Sequence, residues 1–179
     1  MLFFPPERYQ PRVRQVFRAL RRVLHVALPK ARIEHIGSSA VQGLWSKGDL
    51  DVYIEVEPEA FDAARVTLQQ RGFYLKRDTL QTAQLCYFVA EGLGVDVGLQ
   101  LVARGSRFRF FLIFRDRLRR DAKLRATYNQ LKHAAQHLNA QDYRRLKSEF
   151  IVAILMRGRR LQSARQAKSS WYRRKISSN

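Results

Sequence analysis

Gly37-Ser38, ten further residues, and then Asp49-Leu50-Asp51-Val52-Tyr53-Ile54-Glu55-Val56 form the stretch from which the fold is read. Its second part alternates. Asp49, Asp51, Tyr53 and Glu55 fall on one side, and Leu50, Val52, Ile54 and Val56 fall on the other. Side chains of a strand point to opposite faces with period two, so this is a strand with one apolar face and one face bearing carboxylates. Two carboxylates spaced i, i+2 on a strand share a face and can share a divalent cation. A glycine and a hydroxyl residue just upstream let backbone N–H groups approach a phosphate. Metal held by carboxylates and phosphates held by amides is the equipment for phosphoryl chemistry on a nucleoside triphosphate.

A second run has the same character. Val95, Val97, Leu99 and Leu101 lie on one face, with Asp96, Gly98 and Gln100 on the other. If the two strands are neighbours, Asp49, Asp51 and Asp96 share a sheet face. A third carboxylate there completes a metal shell or takes the proton from an attacking hydroxyl. Each piece also has a plainer use: Asp-x-Asp suits a solvated strand edge, and Gly-Ser suits a turn. The combination is what points to a site.

The same residues carry a resemblance. Gly-Ser, about ten residues, Asp-x-Asp on a strand and a later strand Asp resemble the nucleotidyltransferase superfamily, which includes DNA polymerase beta and the aminoglycoside nucleotidyltransferases. More narrowly, Ile33-Glu34-His35-Ile36-Gly37-Ser38-Ser39-Ala40-Val41-Gln42-Gly43-Leu44 resembles the signature of the GrpB-like family. Later segments resemble that family in the same order: Gly105-Ser106 with Leu112-Ile113-Phe114-Arg115-Asp116-Arg117-Leu118-Arg119, then Tyr128-Asn129-Gln130-Leu131-Lys132, then Tyr143 through Ile151. The likeness runs from about residue 8 to 157.

Two departures stand out. The family has a single strand Asp, which Asp51 matches, so Asp49 is extra. Where the family tends to carry His-x-His on the later strand, this chain reads Gly98 and Gln100. The resemblance implies a metal-dependent transfer of a nucleoside monophosphate from a nucleoside triphosphate, such as ATP, to an acceptor hydroxyl. Asp49, Asp51 and Asp96 are then the catalytic and Mg²⁺ (or Mn²⁺) ligands. Gly37, Ser38, Ser39, Lys47, Arg115, Lys132 and Lys147 are the candidate nucleotide and phosphate contacts, with a structural pair as the other use of Arg115 and Asp116 and a plain surface position the other use of the three lysines. The alternative is a non-catalytic module that keeps the fold and binds nucleic acid or a protein through its basic helices.

Charge supports a polyanionic partner. The 179 residues carry a net charge of +19. It is unevenly spread: residues 1–30 hold 7 basic and 1 acidic residue, 31–103 hold 6 and 10, and 104–179 hold 21 and 4. The carboxylate strands thus lie in a slightly acidic stretch flanked by strongly basic ones. Arginine supplies 26 of the 34 cations, which suits bidentate phosphate contacts. Cys86 is the single cysteine, in an apolar run; with no partner for a disulfide it fits a buried position in a reducing compartment. Met1-Leu2-Phe3-Phe4-Pro5-Pro6 is too short and too soon broken by proline for a signal peptide, and no run is long enough to span a membrane, so the cytoplasm is the expected location.

Periodicity supplies the remaining elements. Val13, Val16, Phe17, Leu20, Val23, Leu24 and Ala27 repeat as a helical stripe, with Arg12, Arg14, Arg18, Arg21 and Arg22 mostly outside it. Ile33–Ile36 reads as a strand. Ser38 or Ser39 is placed to cap a short helix through Leu44. Pro58 starts a helix that ends by Gly72, and Phe73–Lys76 reads as a short strand. Ala83–Ala90 and Val95–Val102 form a hairpin. From Ser106 onward three helices follow, with Phe108, Phe110, Phe111 and Phe114 assigned to the core. The expected fold is α+β: a small, mixed, nucleotidyltransferase-like sheet with flanking helices and a C-terminal helical region. One domain is expected over residues 1–161, followed by a basic, disordered tail over 162–179 in which Trp171-Tyr172 is a local anchor.

Overall fold

The computed structural model describes residues 2–156. The alternating stretch is strand β2, Leu50–Val56. It pairs antiparallel with β1, Arg32–Ile36, and parallel with the strand Val97–Ala103. Between them in the chain come helix α2 (Phe61–Gln70), β3 (Tyr74–Leu75) and β4 (Leu85–Ala90), which makes the Val97–Ala103 strand β5. β4 is antiparallel to both β5 and β3, so the sheet order is β1-β2-β5-β4-β3. The α+β class and the mixed sheet read from the sequence are what the chain adopts.

The apolar faces of both central strands turn to one side. Leu50, Val52, Ile54 and Val56 join Val97, Leu99 and Leu101 in the larger core. Helix α1, Pro6–Ala27, lays Val13, Val16, Leu20 and Leu24 onto it, and α2 adds Phe61, Ala64 and Leu68. α1 starts well before its apolar stripe becomes regular, because proline at the first position has no N–H to leave unsatisfied. Val23, expected in the stripe, is 49% exposed. The opposite face carries a smaller cluster of Ile36, Tyr53, Leu85 and Val102. Phe108 and Leu112 cover it from the tight turn Arg107–Arg109 and from α3, Phe110–Arg120. Of the four phenylalanines expected in the core, Phe108 is buried; Phe110 and Phe111, half-buried, pack against that cluster, and Phe114, half-buried, lies edge-on to Tyr128. Helix α4, Ala122–Ala134, follows after Asp121, whose carboxylate caps it by accepting from the Leu124 amide at 3.0 Å.

One expected helix is absent. After β1 only a three-residue 3-10 turn forms, Ser38–Ala40, in place of a helix through Leu44. The loop that forms instead is held by α1: the Gln10 side-chain amide donates to Val41 O at 2.8 Å and the Tyr9 hydroxyl to Leu44 O at 2.6 Å. Gly43, at a φ of 80°, turns the chain away between them. Contacts divide the chain into two compact units, Met1–His137 and the part from Leu138 onward. In the second, residues 140–156 are helical, and Asn139 Oδ1 accepts from the amides of Gln141 and Asp142, both at 2.9 Å. The expected tail over 162–179, with Trp171-Tyr172, lies outside the described residues. Among the described residues, no helix is long and apolar enough to cross a membrane.

Candidate functional site

The N-terminal end of β2 meets the C-terminal end of β1. Asp51 is paired with Ile36, and Gly37 turns the chain with a φ of 71°. A Cβ at Gly37 would collide with Asp51 Oδ2 and stand 3.0 Å from Asp51 Cβ. Both the left-handed φ and the carboxylate lying on the α-carbon therefore require glycine here. Asp51 is half-buried. Asp49, also half-buried, accepts a hydrogen bond from Ser46 Oγ at 2.9 Å. It immediately precedes β2, one residue outside the strand.

Asp96 stands at the rim. The β2–β5 register sets Leu50 beside Val97, so one step further out brings Asp96 opposite Asp49, and the Asp96 carbonyl accepts from the Leu50 amide at 2.8 Å. Its side chain is exposed and lines a surface depression with Lys47, Gly48, Glu91 and Gly94. Among the described residues no group of three or more His, Cys, Asp or Glu is placed to hold a metal ion. The expected three-carboxylate cluster is therefore not assembled. The strand residue directly beside Asp51 is Gly98, because β5 begins only after Asp96.

Helix α4 completes the site. Lys132 is only 1% exposed. Its ammonium donates to Ser38 Oγ at 2.8 Å and to the Trp45 carbonyl, and lies 4.2 Å from the centroid of the Tyr128 ring. One turn earlier, Asn129 Nδ2 donates to Gly43 O at 2.9 Å and its Oδ1 accepts from the Trp45 amide at 3.0 Å. His133 meets the Trp45 ring edge-on with centroids 4.3 Å apart. Residues spaced i, i+3, i+4 share a helix face, so Asn129, Lys132 and His133 clamp the Ser38–Trp45 loop together. Trp45 and Asn129 were not singled out by sequence reasoning. The helical spacing around Lys132 was the available signal, but nothing in the chain says which loop that face meets.

Other expected phosphate contacts serve as supports. Ser39 is 2% exposed, and its hydroxyl is hydrogen-bonded to His35 Nε2 at 3.0 Å. His35 stacks on Phe17. Burial pushes the imidazole pKa down to about 4, helped by the nearby Arg119, Arg115 and Arg14, so the ring is neutral at pH 7. Arg115, 4% exposed, donates to Glu34 Oε2 at 2.9 Å, to the His35 carbonyl at 2.8 Å and to Asp116 Oδ1 at 2.8 Å. It ties α3 to β1, and its guanidinium is directed to those three groups. Arg119 reaches the Ala40 carbonyl at 3.1 Å. Lys47 is exposed at the rim, and Lys147 belongs to the second unit.

Residues 7–157 match the family model described as GrpB protein. A UPF0157 protein of Vibrio cholerae is 39% identical over 155 residues, covering 87% of this chain and 82% of the relative. One from Streptomyces coelicolor is 33% identical over 146 residues, covering 76% and 74%. Among solved structures, the conserved protein GrpB from Enterococcus faecalis superposes with a TM-score of 0.63 at 20% identity, covering 86% of this chain and 99% of that one. The Cid1 poly(U) polymerase bound to MgGTP superposes with a TM-score of 0.51 at 20% identity, covering 71% of this chain and 42% of that one. The likeness in fold thus extends to a nucleotidyltransferase, over less than half of the polymerase.

Proposed function

The chain belongs to the GrpB family, and we propose that it is a metal-dependent nucleotidyltransferase that transfers a nucleoside monophosphate from a nucleoside triphosphate to an acceptor hydroxyl. The observation that carries this reading is Lys132: a buried ammonium brought by α4 onto the hydroxyl of Ser38, on the turn whose glycine backs Asp51. A cation, a glycine turn and strand carboxylates in one place are three complementary parts of a triphosphate site.

In this reading the acceptor oxygen attacks the α-phosphorus, the bond to the bridging oxygen breaks, and pyrophosphate leaves. Asp51 and Asp49 offer hard carboxylate oxygens that suit Mg²⁺ or Mn²⁺, and such an ion, when bound, offsets phosphate charge. The Gly37-Ser38 turn presents backbone and hydroxyl donors to the β- and γ-phosphates. Lys132 exchanges its bonds to Ser38 Oγ and the Trp45 carbonyl for a terminal phosphate oxygen. Lys47, at the rim, attracts the anion. Ser39 and Arg115 hold the turn and β1 in position, and Asp96→Asn asks whether the rim carboxylate assists deprotonation. The cytoplasm, with its nucleoside triphosphates and reducing conditions for Cys86, is the proposed location.

The test is incubation of the full chain with each labelled triphosphate, Mg²⁺ and cell extract. A labelled acceptor that disappears with Asp51→Asn supports the reading. No triphosphate binding by calorimetry, with melting unchanged by metal and nucleotide, overturns it. A second reading rests on α1, where Arg12, Arg14, Arg18, Arg21 and Arg22 are all exposed. Such a row suits a module that binds nucleic acid without turnover. It predicts affinity for single strands that falls with salt by about −0.7 in the log–log slope per phosphate neutralised. Binding that is absent at low salt, or insensitive to salt, removes it.

A further inference from the structure

Gly98 is the immediate neighbour of Asp51 in the parallel β2–β5 pair, and the two share a face of the sheet. Its φ is not in the left-handed region, so the backbone itself would accept any side chain. The place is taken from the next strand. β4 pairs Tyr87 with Gln100 and Val89 with Gly98, which sets Tyr87 diagonal to Gly98 on that same face. A Cβ on Gly98 would collide with the Tyr87 hydroxyl and stand 2.8 Å from ring atoms Cε2 and Cζ. The phenol therefore lies across Gly98 with its oxygen end over the position beside Asp51.

A carboxylate at position 98 would be the nearest strand neighbour of Asp51 and would bring the donor set to three. A phenol hydroxyl is a hydrogen-bonding group and a poor substitute for a carboxylate toward a hard divalent ion. We propose that Tyr87 limits the metal affinity of the Asp51 site. It occupies the third ligand's place, so a divalent cation binds firmly only when a triphosphate supplies the missing oxygens. The part concerning triphosphate rests on the function proposed above; the part concerning the metal does not.

Calorimetric titration of the full chain with Mn²⁺, first alone and then with ATP, tests both parts. The wild type is expected to bind Mn²⁺ weakly alone and at least about tenfold more tightly with ATP, a difference of about 1.4 kcal/mol. Tyr87→Ala/Gly98→Asp, which exchanges the phenol for a carboxylate, is expected to bind Mn²⁺ alone at least about tenfold more tightly than wild type. Tyr87→Glu leaves Gly98 untouched and should gain in the same direction, which keeps the test standing if the double variant does not fold. Tyr87→Phe should match wild type for Mn²⁺ alone. If both carboxylate variants fold, by circular dichroism, and bind Mn²⁺ no better than wild type, the proposal is overturned. If they gain Mn²⁺ affinity while ATP has no effect on any variant, Tyr87 stands as the metal-limiting residue and the nucleotide reading falls.

Discussion

Asp51 and Glu55 sit on the same strand and the same face, two steps of alternation apart, yet their surroundings differ. Glu55 is 6% exposed. It accepts from the Tyr53 hydroxyl at 2.7 Å and has Arg104 Nε at 3.7 Å. Burial, with the Glu55 carboxylate beside it, pushes the Tyr53 phenol well above its usual range. Phe108 and Leu112 pack against Tyr53 in the smaller core cluster. Asp51 instead has glycines on both flanks, Gly37 at the end of β1 and Gly98 in β5. A buried carboxylate whose lone pairs are satisfied by neighbours is a structural member. Asp51 is half-buried, with the Gly37 turn against its carboxylate and the Tyr87 phenol lying across the neighbouring Gly98. The strand pattern alone gives both the same reading, and only the neighbours separate them.

The sharpest way to break this contrast is Asp51→Asn. In wild type, Mg²⁺ with a triphosphate at about 100 times its Kd should add about 2.7 kcal/mol of stability by mass action. The substitution should remove that gain while leaving the unliganded melting temperature near wild type, as thermal unfolding would read. A retained gain would put the site elsewhere. Acid probes the support beneath the turn. His35 has a folded pKa of about 4, below its ordinary 6.5, so between those values the unfolded chain binds a proton that the folded chain does not. Stability should therefore fall as pH drops from 6.5 toward 4, by at most about 3 kcal/mol. His35→Gln should flatten that part of a urea-unfolding pH series.

At the other end of the strand, Glu55→Gln should cost about 1–3 kcal/mol in urea unfolding, since a charge-assisted hydrogen bond and an ion pair are weakened. Its response to metal and nucleotide should match wild type. A lost nucleotide response there would erase the distinction between the two ends. The smallest effect belongs to Asp96→Asn. An exposed charge at the rim contributes at most about 1 kcal/mol, so nucleotide affinity should change by less than about fivefold in calorimetry.

Alternation carried most of the fold into view, because one face of β2 and of β5 is apolar at every second residue and must be covered. The Gly37–Asp51 contact was legible for a related reason: a glycine, a hydroxyl and strand carboxylates at that spacing have few joint uses. What escaped were contacts decided by long-range geometry. Ser39 and Arg115 looked like phosphate ligands by residue type, but His35 and Glu34, each on β1, claim them. Asp96 has the right parity and the wrong depth, since β5 starts one residue later. In place of the helix expected through Leu44 there is a loop that Tyr9 and Gln10 hold by its Leu44 and Val41 carbonyls, and hydrogen bonds from a distant helix leave no local mark.

The clamp made by α4 also sets an order of events on the ribosome. Lys132 reaches back 94 residues to Ser38, and Asn129 reaches back 86 to Gly43. At about 5–20 residues per second, the loop is synthesised some 5–20 s before the helix that grips it from that side. During that interval its holders are Tyr9 and Gln10, which precede it in the chain. A nascent chain thus carries Asp49 and Asp51 early and acquires the buried Lys132 ammonium late, so the Gly37-Ser38 turn gains its cation only once α4 has been made.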